Sequence, residues 1–280
     1  MPLKRLFYRI RPLAYWLRVS LNRAAPEGLT EVSIAAGGLV GYRMLLDLHL
    51  EKDYWLGTYE PELQEAVREF VRPGMIAYDI GGNIGYVTLM LAHAVGEGGW
   101  VFVFEPLPQN VERLRENLAL NCVESRVTII PKAIVEATKE VRFRCGPSHG
   151  TGKVESAAGE EFALRGASMT VQGVSLDDFV FREGNPPPHV IKVDIEGGEV
   201  LALPGMREIL HQMRPLLLLE LHGTMASQVA WQVLAQASYS LRWMQRGYPV
   251  VKDAALLRRK AYIVGIPLLK QGFSIPRAFH

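Results

Sequence analysis

Residues 75–86, Met-Ile-Ala-Tyr-Asp-Ile-Gly-Gly-Asn-Ile-Gly-Tyr, constrain this chain more than any other stretch. An apolar run passes Asp79 into a glycine-rich turn, and a helical pattern starts directly after it. Strand, tight loop and helix N-terminus in that order bring backbone N–H groups up to a polar ligand. The alternation then repeats. Apolar runs at 75–80, 100–104, 127–131, 190–193 and 216–221 read as buried parallel strands. Helical patterns at 86–94, 108–120 and 205–213 lie between them. Such a sequence predicts a mostly parallel sheet with helices on both faces and right-handed crossovers.

The two ends of the chain read differently. After a helix over 229–237, strands at 239–244 and 260–266 surround a turn at 247–249 and predict a C-terminal antiparallel hairpin. Upstream of the sheet, a short helix covers 62–70, and 31–36 and 40–48 flank Gly37-Gly38 as a hairpin with a two-residue turn. Short strands at 141–144 and 168–171 enclose a Gly-, Ser- and Ala-rich loop, 146–166, whose length reads either as a lid over a site or as plain disorder. The expected division is an N-terminal basic helix and hairpin extension, 1–56, followed by one α/β domain, 57–280.

A hydrophobic share of 49% in 280 residues is enough for a substantial core. A net charge of +2 argues against a dedicated nucleic-acid binder, which needs a concentrated basic face. Two cysteines, Cys122 and Cys145, fit a reducing compartment, and no apolar run has the length of a membrane span, so a cytoplasmic location is expected. Residues 1–23 carry Lys4, Arg5, Arg9, Arg11, Arg18 and Arg23 among leucines near helical spacing, with Pro12 breaking the pattern. They read either as a poorly ordered segment or packed surface helix, or as a peripheral contact with an anionic membrane or a partner.

The chemistry gathers at the carboxyl ends of the expected strands. Gly81 and Gly82 permit close backbone approach, Asn83 can cap, and Asp79 would accept hydrogen bonds from a ligand. Glu105, at the end of the second strand and followed by Pro106, is placed to meet the two hydroxyls of a ribose. A dinucleotide fingerprint wants G-x-G-x-x-G, which Gly81, Gly82 and Gly85 do not supply. The fourth strand ends in Asp194, Glu196 and Glu199, carboxylates that need solvent, a ligand or a cation. Glu199 reads as helix N-terminal charge compensation. The fifth strand ends in Glu220, Leu221 and His222, with Glu220 and His222 on one side of an extended segment and His222 suited to proton transfer.

Taken together these segments resemble the FkbM-type family of S-adenosylmethionine (SAM)-dependent class I methyltransferases. The matching pieces are Gly57-Thr58-Tyr59-Glu60, 79–85, Phe104-Glu105-Pro106, Asn117 and Asn121, Ser175-Leu176-Asp177-Asp178-Phe179, 191–199 and Glu220-Leu221-His222. The resemblance implies a Rossmann-like methyltransferase fold and O-methylation of sugar, glycolipid or natural-product hydroxyls. It also implies Tyr59 and Glu60 near the methionine end of SAM, and Ala133 near the adenine. Gly82 departs from the alanine often found there. Asp194 or His222 would take the acceptor's proton, with Glu196 and Glu220 orienting the acceptor or helping to bind a divalent cation. No tight ligand motif decides the cation. A nicotinamide-dependent oxidoreductase, and a non-catalytic SAM-binding interaction protein, are the alternatives. Asn185-Pro186-Pro187-Pro188 is similar to the motif of amino-group methyltransferases but precedes the fourth strand and lacks the aromatic residue, so it reads as a stiff linker.

Overall fold

A computed structural model of the protein describes residues 26–145, 152–157, 168–257 and 260–268. The basic stretch 1–23 and most of the 146–166 loop lie outside the described residues. The chain divides into two compact units, Met1–Tyr59 and Glu60–His280.

In the first unit, β1 (Leu29–Ser33) and β2 (Arg43–Asp47) pair antiparallel, with Ser33 opposite Arg43. The Ile34 N–H donates to the Tyr42 carbonyl at 2.8 Å, which carries the pairing one step further. The connection therefore spans 35–41 and is not the expected two-residue Gly-Gly turn. Leu39 is buried, and folding it back under the loop takes more chain than such a turn has. A single helical turn, α1 (Lys52–Trp55), follows. Gly57, at a φ of +66°, admits no side chain, because a Cβ would lie 1.7 Å from the Ala36 carbonyl oxygen.

The second unit starts with α2 (Pro61–Phe70), whose Pro61 opens the helix and whose Leu63, Ala66, Val67 and Phe70 form the buried face. A seven-stranded sheet then carries the fold. Its strands are β3 (Ile76–Ile80), β4 (Trp100–Phe104), β5 (Val127–Ile130), β10 (Val190–Val193), β11 (Leu216–His222), β12 (Tyr239–Trp243) and β13 (Lys260–Pro267). Their order is β12-β13-β11-β10-β3-β4-β5. All pairings from β11 to β5 are parallel, and β13 runs antiparallel between β11 and β12. This is the Rossmann-like class I methyltransferase arrangement, with the reversal of strand order between β3 and β10. Helices α3 (Tyr86–Val95), α4 (Pro108–Ala119), α5 (Glu199–Ala202), α6 (Arg207–Gln212) and α7 (Gly223–Gln236) make the connections. No described helix is long and apolar enough to cross a membrane.

Helix α7 begins six residues before its expected start at 229. Its first buried positions are Ala226, Ser227 and Ala230, small residues that leave no strong apolar period in the sequence. A second sheet, ordered β6-β9-β7-β8, is built from β6 (Ala133–Ile134), β7 (Lys139–Cys145), β8 (Gly152–Val154) and β9 (Ser168–Val174). The strands expected at 141–144 and 168–171 pair here, Arg144 opposite Ser168.

Much of the sequence pattern serves this frame. Phe179 lies edge-on to Phe104 at 5.0 Å and to Tyr78 at 5.8 Å between ring centroids, packing β3 and β4 from one face. Asp177 accepts from the Glu208 and Ile209 N–H groups, each at 2.9 Å, and so caps α6 from a distant segment. Asn117 donates to the Ile84 carbonyl at 2.7 Å, which fixes the glycine-rich loop from behind. The Asn-Pro-Pro-Pro segment precedes β10, and its Pro186 carbonyl accepts from the Tyr78 hydroxyl.

Candidate active site

The carboxyl ends of β3, β4, β10 and β11 bring most of the expected site residues to one edge of the sheet. Gly81 has a φ of +83°, and a Cβ there would lie 2.0 Å from the Asp194 carbonyl oxygen. The loop after β3 therefore rests directly on the end of β10. At Gly82 a Cβ would meet Val103 Cγ2 at 2.1 Å, so this chain has glycine where Val103 fills the space of an alanine methyl. Gly85, at a φ of +96°, precedes α3.

Glu105 is buried and accepts from the Asn83 N–H at 2.9 Å and the Leu107 N–H at 3.0 Å. Burial pushes its carboxyl up to about 7, against those hydrogen bonds, which pull it down. Pro106 follows directly, and Ala133 is buried in a small core with Leu107 and Val135. Asp79 is fully buried and turned inward, taking a hydrogen bond from Thr88 Oγ1 at 2.7 Å.

The group the sequence did not single out is Lys192. It lies within the apolar run of β10, opposite Asp79 in register, and is 3% exposed. Its Nζ is 3.2 Å from Asp79 Oδ1 and 3.9 Å from Asp194 Oδ2, and donates to the Gly81 carbonyl at 2.9 Å. Burial alone would depress this ammonium, but Asp79 and Asp194 hold it well above its usual range. The visible signal was a lysine inside a strand otherwise apolar on both faces.

Around His222 the expectations are partly met and partly revised. Strand β10 ends at Val193, and Glu196 has a φ of +54°, so Asp194 and Glu196 do not share a continuing strand. Both still reach the imidazole: His222 Nε2 is 4.0 Å from Asp194 Oδ1, 3.6 Å from Glu196 Oε2 and 2.9 Å from Glu220 Oε1. Glu199 is not a solvated helix-end charge. It is fully buried, with Oε1 3.3 Å from His222 Nδ1 and also accepting from the Ile195 N–H at 3.1 Å.

The charge balance follows from this packing. Burial would lower the His222 imidazolium, but hydrogen bonds to Glu199 and Glu220 outweigh it and lift the group to about 10. Burial raises Glu60 to about 8, aided by its contact with Glu220 and by the charges of Glu220 and Asp194. Glu60 thus keeps its proton at neutral pH and donates a hydrogen bond to Glu220. Burial would raise Glu220 as well, but hydrogen bonds from His222, Glu60 and Lys260 bring it to about 2. Asp194 rises to about 6 through burial, with Lys192 opposing. Tyr59 falls in the first unit, where its ring packs on Tyr54 at 4.6 Å. Ligand atoms of Asp194, Glu220 and His222 lie within 4.8 Å of one another, the one such group among the described residues.

Residues 79–249 match the methyltransferase FkbM domain. The chain belongs to the FkbM methyltransferase family. It is accordingly an enzyme of methyl transfer with SAM as its cofactor, and the nicotinamide and non-catalytic alternatives give way. The hexuronic acid methyltransferase AglP of Haloferax volcanii is 28% identical over 239 residues, covering 83% of this chain and 90% of that protein. The 31-O-demethyl-FK506 methyltransferase FkbM of Streptomyces tacrolimicus is 24% identical over 161 residues, 49% of this chain and 62% of that one. Among solved structures, methyltransferase FkbM from Methylobacillus flagellatus is 19% identical with a TM-score of 0.45, over 78% of this chain and 53% of that chain.

The residues present fit the cofactor. A glycine loop lies against the end of β10, and Glu105 is a buried carboxylate held by the Asn83 and Leu107 N–H groups and the Asn110 side chain, an acceptor for hydroxyl donors.

Proposed function

We propose that this methyltransferase carries a methyl group from SAM to a hydroxyl oxygen of a sugar, glycolipid or natural product. What supports the reading most is the placement of two different carboxylate environments at one sheet edge. Glu105, buried and held by the Asn83 and Leu107 N–H groups and the Asn110 side chain, suits a ribose diol. Asp194, beside Lys192 and His222, suits an acceptor that must lose a proton. The names of the two curated relatives, one acting on hexuronic acid and one on a demethylated natural product, point to the same acceptor class.

Bound SAM supplies an electrophilic methyl on a sulfonium. The chain's part is alignment and late removal of one proton. The 81–85 loop, with Asn83 and Glu105, holds the nucleoside, and Glu60 lies on the acceptor side through its contact with Glu220. His222 is already charged in this arrangement and orients the cluster. Asp194, ionised at neutral pH, takes the proton. The basic stretch 1–23 is proposed as a peripheral membrane contact; equal flotation of full-length and 27–280 proteins with anionic liposomes would refute it.

The test pairs binding with turnover. Calorimetric titration with S-adenosylhomocysteine should give micromolar affinity, weakened at least tenfold in Glu105→Ala. Methyl transfer to neutral and acidic glycosides should then fall by roughly two orders of magnitude or more in Asp194→Asn with affinity for S-adenosylhomocysteine kept. No binding of S-adenosylhomocysteine, or full turnover in Asp194→Asn, refutes the assignment.

A further inference from the structure

We propose that Glu199 is a positioning residue of the reaction: it locks the His222 ring in place and sets the spacing between the ends of β10 and β11. The inference rests on the reading above, in which Asp194 and His222 serve the acceptor, and gives a task to a buried carboxylate that the reading leaves idle.

Glu199 holds two strand ends at once. It is fully buried, its Oε1 accepts from the Ile195 N–H at 3.1 Å, and its Oε2 accepts from the His222 N–H at 3.4 Å. Ile195 directly follows Asp194, so one carboxylate ties the backbone beside the base to the backbone of the histidine. A buried charge is tolerated only while such donors stay in place. The chain makes room for this contact by doubling back after β10, with Glu196 at a φ of +54° and Gly197 at +100°. That reversal returns Glu199 to Ile195, four residues earlier.

The same side chain also fixes the ring. Oε1 lies 3.3 Å from His222 Nδ1, and a carboxylate only accepts, so Nδ1 is the donor. Nε2 is thereby turned the other way, 2.9 Å from Glu220 Oε1 and 4.0 Å from Asp194 Oδ1. Asp194 has Lys192 Nζ at 3.9 Å and the imidazole as its second cationic neighbour. Rotation of the ring, or sliding of β11 past β10, would change that second distance. A misplacement of about 1 Å at a reacting group can cost roughly 100-fold in rate. Glu199 acts on the acceptor only through His222 and the end of β10.

The test reads His222 directly, in full-length protein labelled with 15N-histidine and saturated with S-adenosylhomocysteine. The wild type should show a slowly exchanging, downfield Nδ1 proton, identified by its absence from His222→Gln. In Glu199→Gln, which keeps the shape but puts an amide where a carboxylate oxygen met an N–H donor, this resonance should be lost or move upfield. Turnover is followed with radiolabelled SAM and a panel of neutral and acidic methyl glycosides. Glu199→Gln should lower kcat by roughly one to two orders of magnitude. Acceptor KM and affinity for S-adenosylhomocysteine should stay within about threefold of wild type. The proposal is overturned if the wild type has no such proton, or if Glu199→Gln leaves either the resonance or kcat unchanged. Asp194→Asn is assayed alongside: loss of turnover there with none in Glu199→Gln overturns the positioning role and spares the base. The His222 resonance is read in every sample whether or not Asp194 is the base, so the two assignments fail separately.

Discussion

Replacing Lys192 by methionine tests whether an ion pair organises the centre of this sheet. The two side chains are close in length, so little volume changes, but the ammonium is lost from a position 3% exposed. Asp79, fully buried and 3.2 Å away, would then keep only its hydrogen bond from Thr88. The Gly81 carbonyl would lose its donor as well. Removing one partner of a buried pair costs about 3–5 kcal/mol, because the other charge is stranded. In a domain of this size each kcal/mol lowers Tm by about 2–4 °C, so the expected fall is roughly 6–20 °C. Adding Asp79→Asn removes the stranded charge and should return at least half of the loss. The assay is a double-mutant cycle of urea unfolding followed by circular dichroism. A Lys192→Met variant within about 1 kcal/mol of wild type, or a coupling energy near zero, would refute the reasoning.

Further expectations concern the loop, one titrating group and one cap. Gly82→Ala should cost about 1–3 kcal/mol through its contact with Val103, and Val103→Ala in the same chain should relieve it; a neutral single variant in a urea melt would remove the packing argument. Glu105 lies near 7 in the folded chain against 4.5 ordinarily, so between those values the folded state holds an extra proton. Its contribution thus favours folding at low pH and is lost as the pH rises through about 7, and Glu105→Gln should flatten the change in unfolding free energy between about pH 5 and about pH 8; an unchanged slope counts against it. Asp177→Ala should cost about 1–2 kcal/mol by leaving the Glu208 and Ile209 N–H groups without their acceptor, and faster hydrogen exchange confined to the start of α6 would report it.

What the sequence made legible was local or periodic. The β3–loop–α3 unit has glycines, a buried run and a helix start within twelve letters, and the parallel strands are long apolar runs. The terminal hairpin was equally visible in two alternating runs around Gly247. What stayed hidden was decided by chain segments far apart in sequence. Lys192 is explained only by Asp79 on the neighbouring strand, and Glu199 only by His222, 23 residues on. Glu199 has the position of a helix-end charge, and burial by the surrounding strands changed its meaning. The start of α7 was missed because alanine and serine, not leucine, face the core there. In the first unit, a Gly-Gly pair suggested the tightest turn, and the burial of Leu39 required a longer one.

The position of β13 has a consequence for how the chain assembles. Strand β11, ending in Glu220 and His222, has one partner in β10, and its other edge is covered only by β13. Strand β12, made earlier, pairs with β13 and not with β11. During synthesis both strands must therefore wait for residues 260–267, leaving the backbone edge of β11 from Leu217 to His222 without its neighbour. The same late strand brings Lys260 to Glu220. A nascent chain stalled just short of this strand would thus combine a sticky sheet edge with an incomplete reaction centre, so competence for chemistry and protection from aggregation arrive in the same step.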